Sequence, residues 1–207
     1  MSFARRWITL MVPFSLLLAA CTVVPLDEEG NLIGVGEVFN AESYVDGIWE
    51  TQVLPAFQEK AVPIDELIQA IQEHPQEARQ TYGRQVDVGG PYTFMTEGEG
   101  RVVAMDGPNL MLDLSPYDGK ADLAVRLGPV FTGTEVRDAL DFIKFKDFRE
   151  VTEYFAVANE LNKRVRNDVV SKVDKATAVG KSIEFVGAFD LKDDNDIVVV
   201  PVILEVR

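Results

Sequence analysis

Near residue 92 the hydrophobic pattern changes period, and that change constrains the fold more than any other feature of the chain. Before it, apolar residues recur every three or four positions, the spacing of one helix face. Tyr44, Val45, Ile48, Trp49 and Val53 share such a face behind Asn40, a good helix N-cap. Pro55 breaks or kinks this helix over 41–63. Pro63-Ile64-Asp65-Glu66 opens a second one, with acids in its first turn and Leu67, Ile68 and Ile71 as its stripe. Pro75 ends it, and a short third piece runs through Ala78–Tyr82.

From Tyr92 apolar and polar residues alternate, the period of a half-buried strand. Tyr92–Met105 reads as one long strand, with a bend or bulge at Gly98-Glu99-Gly100. Asn109–Leu114 and Asp122–Phe131 follow as two more strands, separated by turn residues. Thr134 caps a short helix with Val136, Leu140 and Ile143 inward. Asp147-Phe148-Arg149-Glu150 has capping-box spacing and opens a long helix to Val173. Its inward stripe is Val151, Tyr154, Phe155, Ala158, Leu161, Val165 and Val169. Lys181–Leu191 and Asp196–Val206 are the last strands, with a turn at Asp193-Asp194-Asn195.

Three strands, helix, two strands is the order of a small OB-type barrel, in which the helix closes one end. The expectation is an α+β chain. A five-stranded OB-like β-barrel domain at 84–207 carries a helical insertion at 134–174 between its third and fourth strands. A helical segment at 40–83 precedes it. A plain α+β sandwich is the alternative.

The first residues follow another logic. Arg5 and Arg6 precede an apolar run from Trp7 to Ala19, and Leu18-Ala19-Ala20-Cys21 closes it. This is the three-part layout of a secretory signal, too short to span a membrane comfortably. Its last four residues resemble a bacterial lipobox, which implies cleavage after residue 20 and acylation of Cys21. The expected anchoring is durable, because several acyl chains hold where one binds only marginally. Residues 21–39, with Pro25, an acidic run and three glycines, read as a tether that includes a short strand near Leu32–Val38. The implied location is the bacterial cell envelope, facing the periplasm. Thr22 favours the outer membrane over the inner in a Gram-negative host.

Chemistry is constrained mainly by what is missing. Lys and Arg number 20 against 34 Asp and Glu, a net charge of −14. So acidic a chain repels phosphate backbones and anionic lipid headgroups, which argues against nucleic acid as a partner. Cys21 is the only cysteine and His74 the only histidine. Once Cys21 is acylated no thiol remains, and a histidine triad or zinc site would have to rest on His74, which reads as a surface residue. No catalytic residue, metal site or cofactor is expected. The segment that best suits a ligand is 132–162. There Phe145 stands in an aromatic run, with Arg137, Asp138, Asp147, Asn159 and Asn162 as polar groups about an apolar cleft. Asn159 and Asn162 are three apart on one helix face and could read the hydroxyls of a sugar. Trp49 could stack on a ligand, although its stripe points to core packing.

Several runs resemble a family of predicted periplasmic lipoproteins of unknown function. They include Tyr44-Val45-Asp46-Gly47-Ile48-Trp49, Pro91-Tyr92-Thr93-Phe94, Gly128-Pro129-Val130-Phe131-Thr132-Gly133-Thr134 and Phe142-Ile143-Lys144-Phe145-Lys146-Asp147-Phe148. The Val157-Ala158-Asn159-Glu160-Leu161-Asn162 run belongs with them. The resemblance implies an OB-like domain and a genomic setting beside ribose-type sugar ABC transporters. The functional expectation is a non-enzymatic binding or accessory protein, serving a sugar or a sugar-transporter component. Its rivals are a structural envelope protein that binds another protein, and a hydrolase using Asp138 and Asp147. Oligomeric state is left open. In bacteria fed labelled palmitate, Cys21→Ser is expected to abolish labelling of the chain and to move it from the membrane to the soluble envelope fraction. Retained label would contradict this.

Overall fold

The structure is a computed structural model, and it describes residues 39–191 and 196–207. The signal segment, Cys21, the tether strand and the turn at 193–195 therefore lie outside the described residues. Phe39–Arg207 forms one compact unit.

The first helices follow the apolar stripes. Helix α1 spans Ala41–Ile48, and Asn40 caps it by accepting from Ser43 N–H at 2.9 Å. Pro55 does not break the chain here. A π-helical stretch at Trp49–Val53 leads directly into α2, Leu54–Lys60, with Pro55 in its first turn. Proline donates no N–H to the preceding turn, and one π-turn absorbs that loss and the change of register. Trp49 is buried, as core packing requires. Strand β1 is only Val62–Pro63; α3 spans Ile64–Glu73, α4 spans Pro75–Thr81, and β2 is Gly83–Gln85. His74 is exposed between α3 and α4.

Strand β3, Tyr92–Asp106, organises the sheet. One edge pairs antiparallel with β6, Ser182–Leu191, over ten residues from Tyr92↔Leu191 to Arg101↔Ser182. The other edge is shared in sequence by β2 at 92–94, β1 at 96–97 and β4, Asn109–Asp113, at 101–106. Strand β4 then pairs with β5, Leu123–Arg126, which pairs in parallel with β7, Val198–Val206, and β7 returns to β6. Five strands thus follow one another in a closed ring of pairings. The expected count of five is corrected to seven, because β1 and β2 are also hydrogen-bonded to β3. Two- and three-residue strands are too short to show any period.

Between β5 and β6 lie α5, Glu135–Ala139, a 3-10 turn at Phe145–Asp147 and α6, Val151–Arg164, continued by π and 3-10 turns to Lys172. The Asp147 cap is not formed. Glu150 is the N-cap residue, and the Glu153 carboxylate accepts from Arg149 N–H at 2.9 Å. Two residues of the expected inward stripe are also misplaced. Val151 and Phe155 are 50% and 52% exposed, while Tyr154, Ala158, Leu161, Val165 and Val169 are buried. The stripe is narrower than the pattern suggests, because residues 145–150 do not continue the helix and leave its first turn uncovered. Among the described residues no helix is long and apolar enough to cross a membrane.

A single apolar core joins the early helices to the sheet. It includes Val45, Phe57 and Leu67 from the helices and Phe94, Phe185 and Phe189 from the strands. Phe94 lies opposite Phe189 across the β3–β6 ladder, stacked at 5.2 Å and 14°. Such cross-strand aromatic pairs add about 0.5–1.5 kcal/mol beyond area burial. Pro201 is tolerated inside β7 because the β6–β7 register shifts there, at Gly187↔Pro201. A Cβ on Gly187 would stand 2.3 Å from the Val200 carbonyl oxygen and 3.0 Å from Pro201 Cα. Gly187→Ala is expected to cost about 1–3 kcal/mol and to lower Tm by roughly 3–10 °C on thermal unfolding. An unchanged Tm would mean that the bulge gives way freely.

Candidate functional site

The residues singled out in 132–162 do not converge on one cleft. Arg137 and Asp138 are buried on α5 and paired with each other. Arg137 Nε donates to Asp138 Oδ1 at 2.8 Å, and Nη2 lies 2.7 Å from the same oxygen. Thr134 Oγ1 donates to Oδ2 at 2.5 Å. The Asp138 carboxylate thus has both oxygens committed. Arg137 also donates to the Tyr154 carbonyl at 3.3 Å, and its guanidinium lies 3.7 Å from the Tyr154 ring centre. Arg84, on β2, donates to the Asp138 carbonyl. This cluster fastens α5 to α6 and to the sheet.

Asn162 is buried and donates to the Gly133 carbonyl at 2.8 Å, whereas Asn159 is exposed. Phe145 and Asp147 are exposed on the 3-10 turn. Phe145 meets the Tyr154 ring edge-on at 5.6 Å. Burial, then the Asp147 charge, pushes the Tyr44 phenol above its usual range. Burial does the same for Tyr154, opposed by Arg137 and Arg84 and aided by Asp138 and Asp87. The Tyr154 hydroxyl is buried with no hydrogen-bond partner among the described residues.

A second place combines open volume with polar groups. A cleft of about 470 Å³ opens where β3, β6 and β7 meet the start of α3. Volumes near this size suit a small ligand. Val186 and Ile203 are its partly exposed apolar lining, Ile64, Phe185 and Leu114 adjoin it from the core, and five carboxylates surround it: Asp65, Glu97, Glu99, Glu184 and Glu205. Three of these stand in one cross-strand row, Glu99 opposite Glu184 and Glu184 opposite Glu205. Neighbouring strands lie about 4.8 Å apart, so like charges in such a row repel. Arg207 partly offsets this, donating to Glu184 at 2.6 Å and lying 3.9 Å from Glu205. The β3–β6 ladder runs without a break in register through Gly98, so the expected bulge at Gly98-Glu99-Gly100 is not formed; the one irregularity of β3 is at Val102–Ala104, and Gly98 serves close packing instead. A Cβ there would come within 2.5 Å of Ile64 Cγ2 and 3.1 Å of Phe185 Cζ. Among the described residues no group of three or more carboxylate, histidine or cysteine side chains is placed to hold a metal ion.

Residues 11–205 match a family described as "Predicted periplasmic lipoprotein (DUF2291)". This chain belongs to that family. The family places the lipoprotein in the periplasmic envelope and carries no assigned activity. A crystal structure of an OB-fold protein from Thermotoga maritima is similar, with a TM-score of 0.71 at 22% identity, over 83% of this chain and 100% of that one. The likeness shows the OB fold of the lipoprotein. A comparison with curated proteins finds no match.

The carboxylate row was missed in the sequence because it joins three distant strands. Its one local signal is Glu99 within Gly98-Glu99-Gly100, read only as a bend or bulge. The buried pair makes a sharper claim about stability. Asp138→Ala leaves Arg137 buried without its partner and is expected to cost about 3–5 kcal/mol in urea unfolding. Tyr154→Phe removes no hydrogen bond and is expected to change stability by less than about 1 kcal/mol. The reverse ranking would contradict the structural role given to the pair.

Proposed function

We propose that the lipoprotein is a non-enzymatic binding protein, held by acyl chains on Cys21 to the outer membrane, whose cleft between β3, β6 and β7 takes a sugar. The carboxylate row beside an apolar wall carries this reading. Carboxylates accept hydrogen bonds from neighbouring hydroxyls, and the C–H faces of a sugar ring pack on apolar surface. A neutral polyol adds no charge to a chain of net charge −14 and satisfies acceptors that otherwise repel one another. The genomic setting implied by the sequence resemblance agrees with service to a sugar ABC uptake system. On this reading the ligand groups are Glu97, Glu99 and Glu205, and Arg137, Asp138 and Asn162 hold the fold around them.

The hydrolase reading has less support, because Asp138 is bound to Arg137 and Thr134 while Asp147 is exposed. In a panel of pentoses and hexoses, at least one sugar is expected to raise Tm by 2 °C or more at saturation, as mass action requires of a ligand for the native state. Glu99→Gln should weaken that sugar about tenfold in titration calorimetry, a loss of about 1.4 kcal/mol. No shift with any sugar, together with unchanged uptake by the neighbouring transporter in a deletion strain, would refute the proposal.

A further inference from the structure

The exposed side chains at the start of α6 form a surface that the sugar cleft does not use. Phe145 is 53% exposed, Val151 50% and Phe155 52%. Val151 and Phe155 are four apart on α6 and so share a face. Phe145 and Phe155 both adjoin the Tyr154 ring, at 5.6 Å and 6.5 Å. Grouped exposed apolar side chains of this kind mark an interaction surface.

Two further observations say what covers it. The first is charge. Phe142–Arg149 carries Lys144, Lys146 and Arg149 against one carboxylate, Asp147, in a chain with 34 acids and 20 bases, while Glu150 and Glu153 follow at the start of α6, so the cations belong to the turn around Phe145 and not to the helix. Lys144, Lys146 and Arg149 are all exposed. Basic residues interleaved with exposed aromatics suit an anionic lipid surface: the cations meet headgroups and the rings enter the boundary with the acyl chains. The second is where the folded unit begins. The Phe39 ring meets Phe148 edge-on at 5.5 Å, and Phe148 lies 5.5 Å from Tyr154. The chain therefore joins the folded unit beside this same patch, eighteen residues after Cys21. Eighteen residues reach at most about 60 Å, so an anchored domain stays close to the bilayer and meets it many times.

We propose that the Phe145–Val151–Phe155 surface lies against the anionic headgroups of the membrane that holds the chain, giving the domain one bilayer-facing side. This rests on anchoring through Cys21 and not on the sugar cleft. The anchor limits distance; the patch sets orientation.

The test uses the full acylated chain in phosphatidylethanolamine–phosphatidylglycerol vesicles containing a phosphatidylcholine brominated on its acyl chains. Phe145→Trp, Phe155→Trp and Tyr117→Trp are compared, with buried Trp49 as a common background. Tyr117 is the control because it is exposed and lies over Arg101, 4.5 Å from its ring centre. Arg101 is eight residues along β3 from Thr93, the partner of Arg84, which puts it roughly 26 Å along the strand from the residue that fastens α5. Bromine quenching at 145 and 155 should exceed that at 117 at least twofold. Combining Lys144→Glu, Lys146→Glu and Arg149→Glu should remove the excess while the chain still floats with the vesicles. Equal quenching at all three positions in a floating chain overturns the proposal alone. A blue shift at 145 that grows with protein density without bromine quenching assigns the face to a second copy or another protein, and also overturns it. A chain that does not float overturns both this proposal and the Cys21 anchor.

Discussion

The pairing of β3 along both of its edges holds this structure together. One edge is occupied over ten residues by β6; the other is divided among β2, β1 and β4. A strand held on both edges resists slipping, since a one-residue shift would turn Phe94 and its neighbours from the core toward solvent. The divided edge changes partner around Gly98, between β1 at 96–97 and β4 at 101–106. Residues Thr93–Thr96 are buried in succession, with helices as well as strands packed around them, and the Thr93 and Thr96 hydroxyls are satisfied by Asp190 and the Val62 carbonyl.

The rest of the fold follows from that division. It brings Ile64 at the start of α3 against Phe185 and opens the acidic cleft beside them. The insertion between β5 and β6 is fastened to β2 through Arg84 and to itself through Arg137, Asp138 and Thr134. With α5 fixed in this way, the start of α6 and the turn before it project outward, and Phe145 and Phe155 remain exposed. The buried ion pair and the exposed aromatics are thus two sides of one packing arrangement.

Much of this was legible in the sequence. The long strands, their order and the helix between the third and fourth were visible because period two and period 3.6 are distinct over ten or more residues. The OB fold followed from that order and agrees with the similar crystal structure. Strands β1 and β2 were not legible, since two or three residues have no period. The π-turn before Pro55 was hidden because a proline in a helical stripe looks the same whether it breaks the helix or is absorbed. Arg137 and Asp138 were read as polar groups about a ligand cleft, since sequence cannot say whether adjacent opposite charges face a ligand or each other. The row Glu99–Glu184–Glu205 depends on the β3–β6 register between residues some eighty apart in the chain, and no local motif sets it.

Amide chemical-shift mapping of the Phe39–Arg207 unit, titrated with the tightest-binding sugar, tests the central claim most directly. The fold predicts that perturbations cluster at Glu97–Glu99, Glu184–Val186 and Ile203–Glu205, with the α5–α6 region unaffected. Perturbations centred on Arg137, Phe145 and Asn159 instead would contradict it and return the binding site to the helical insertion.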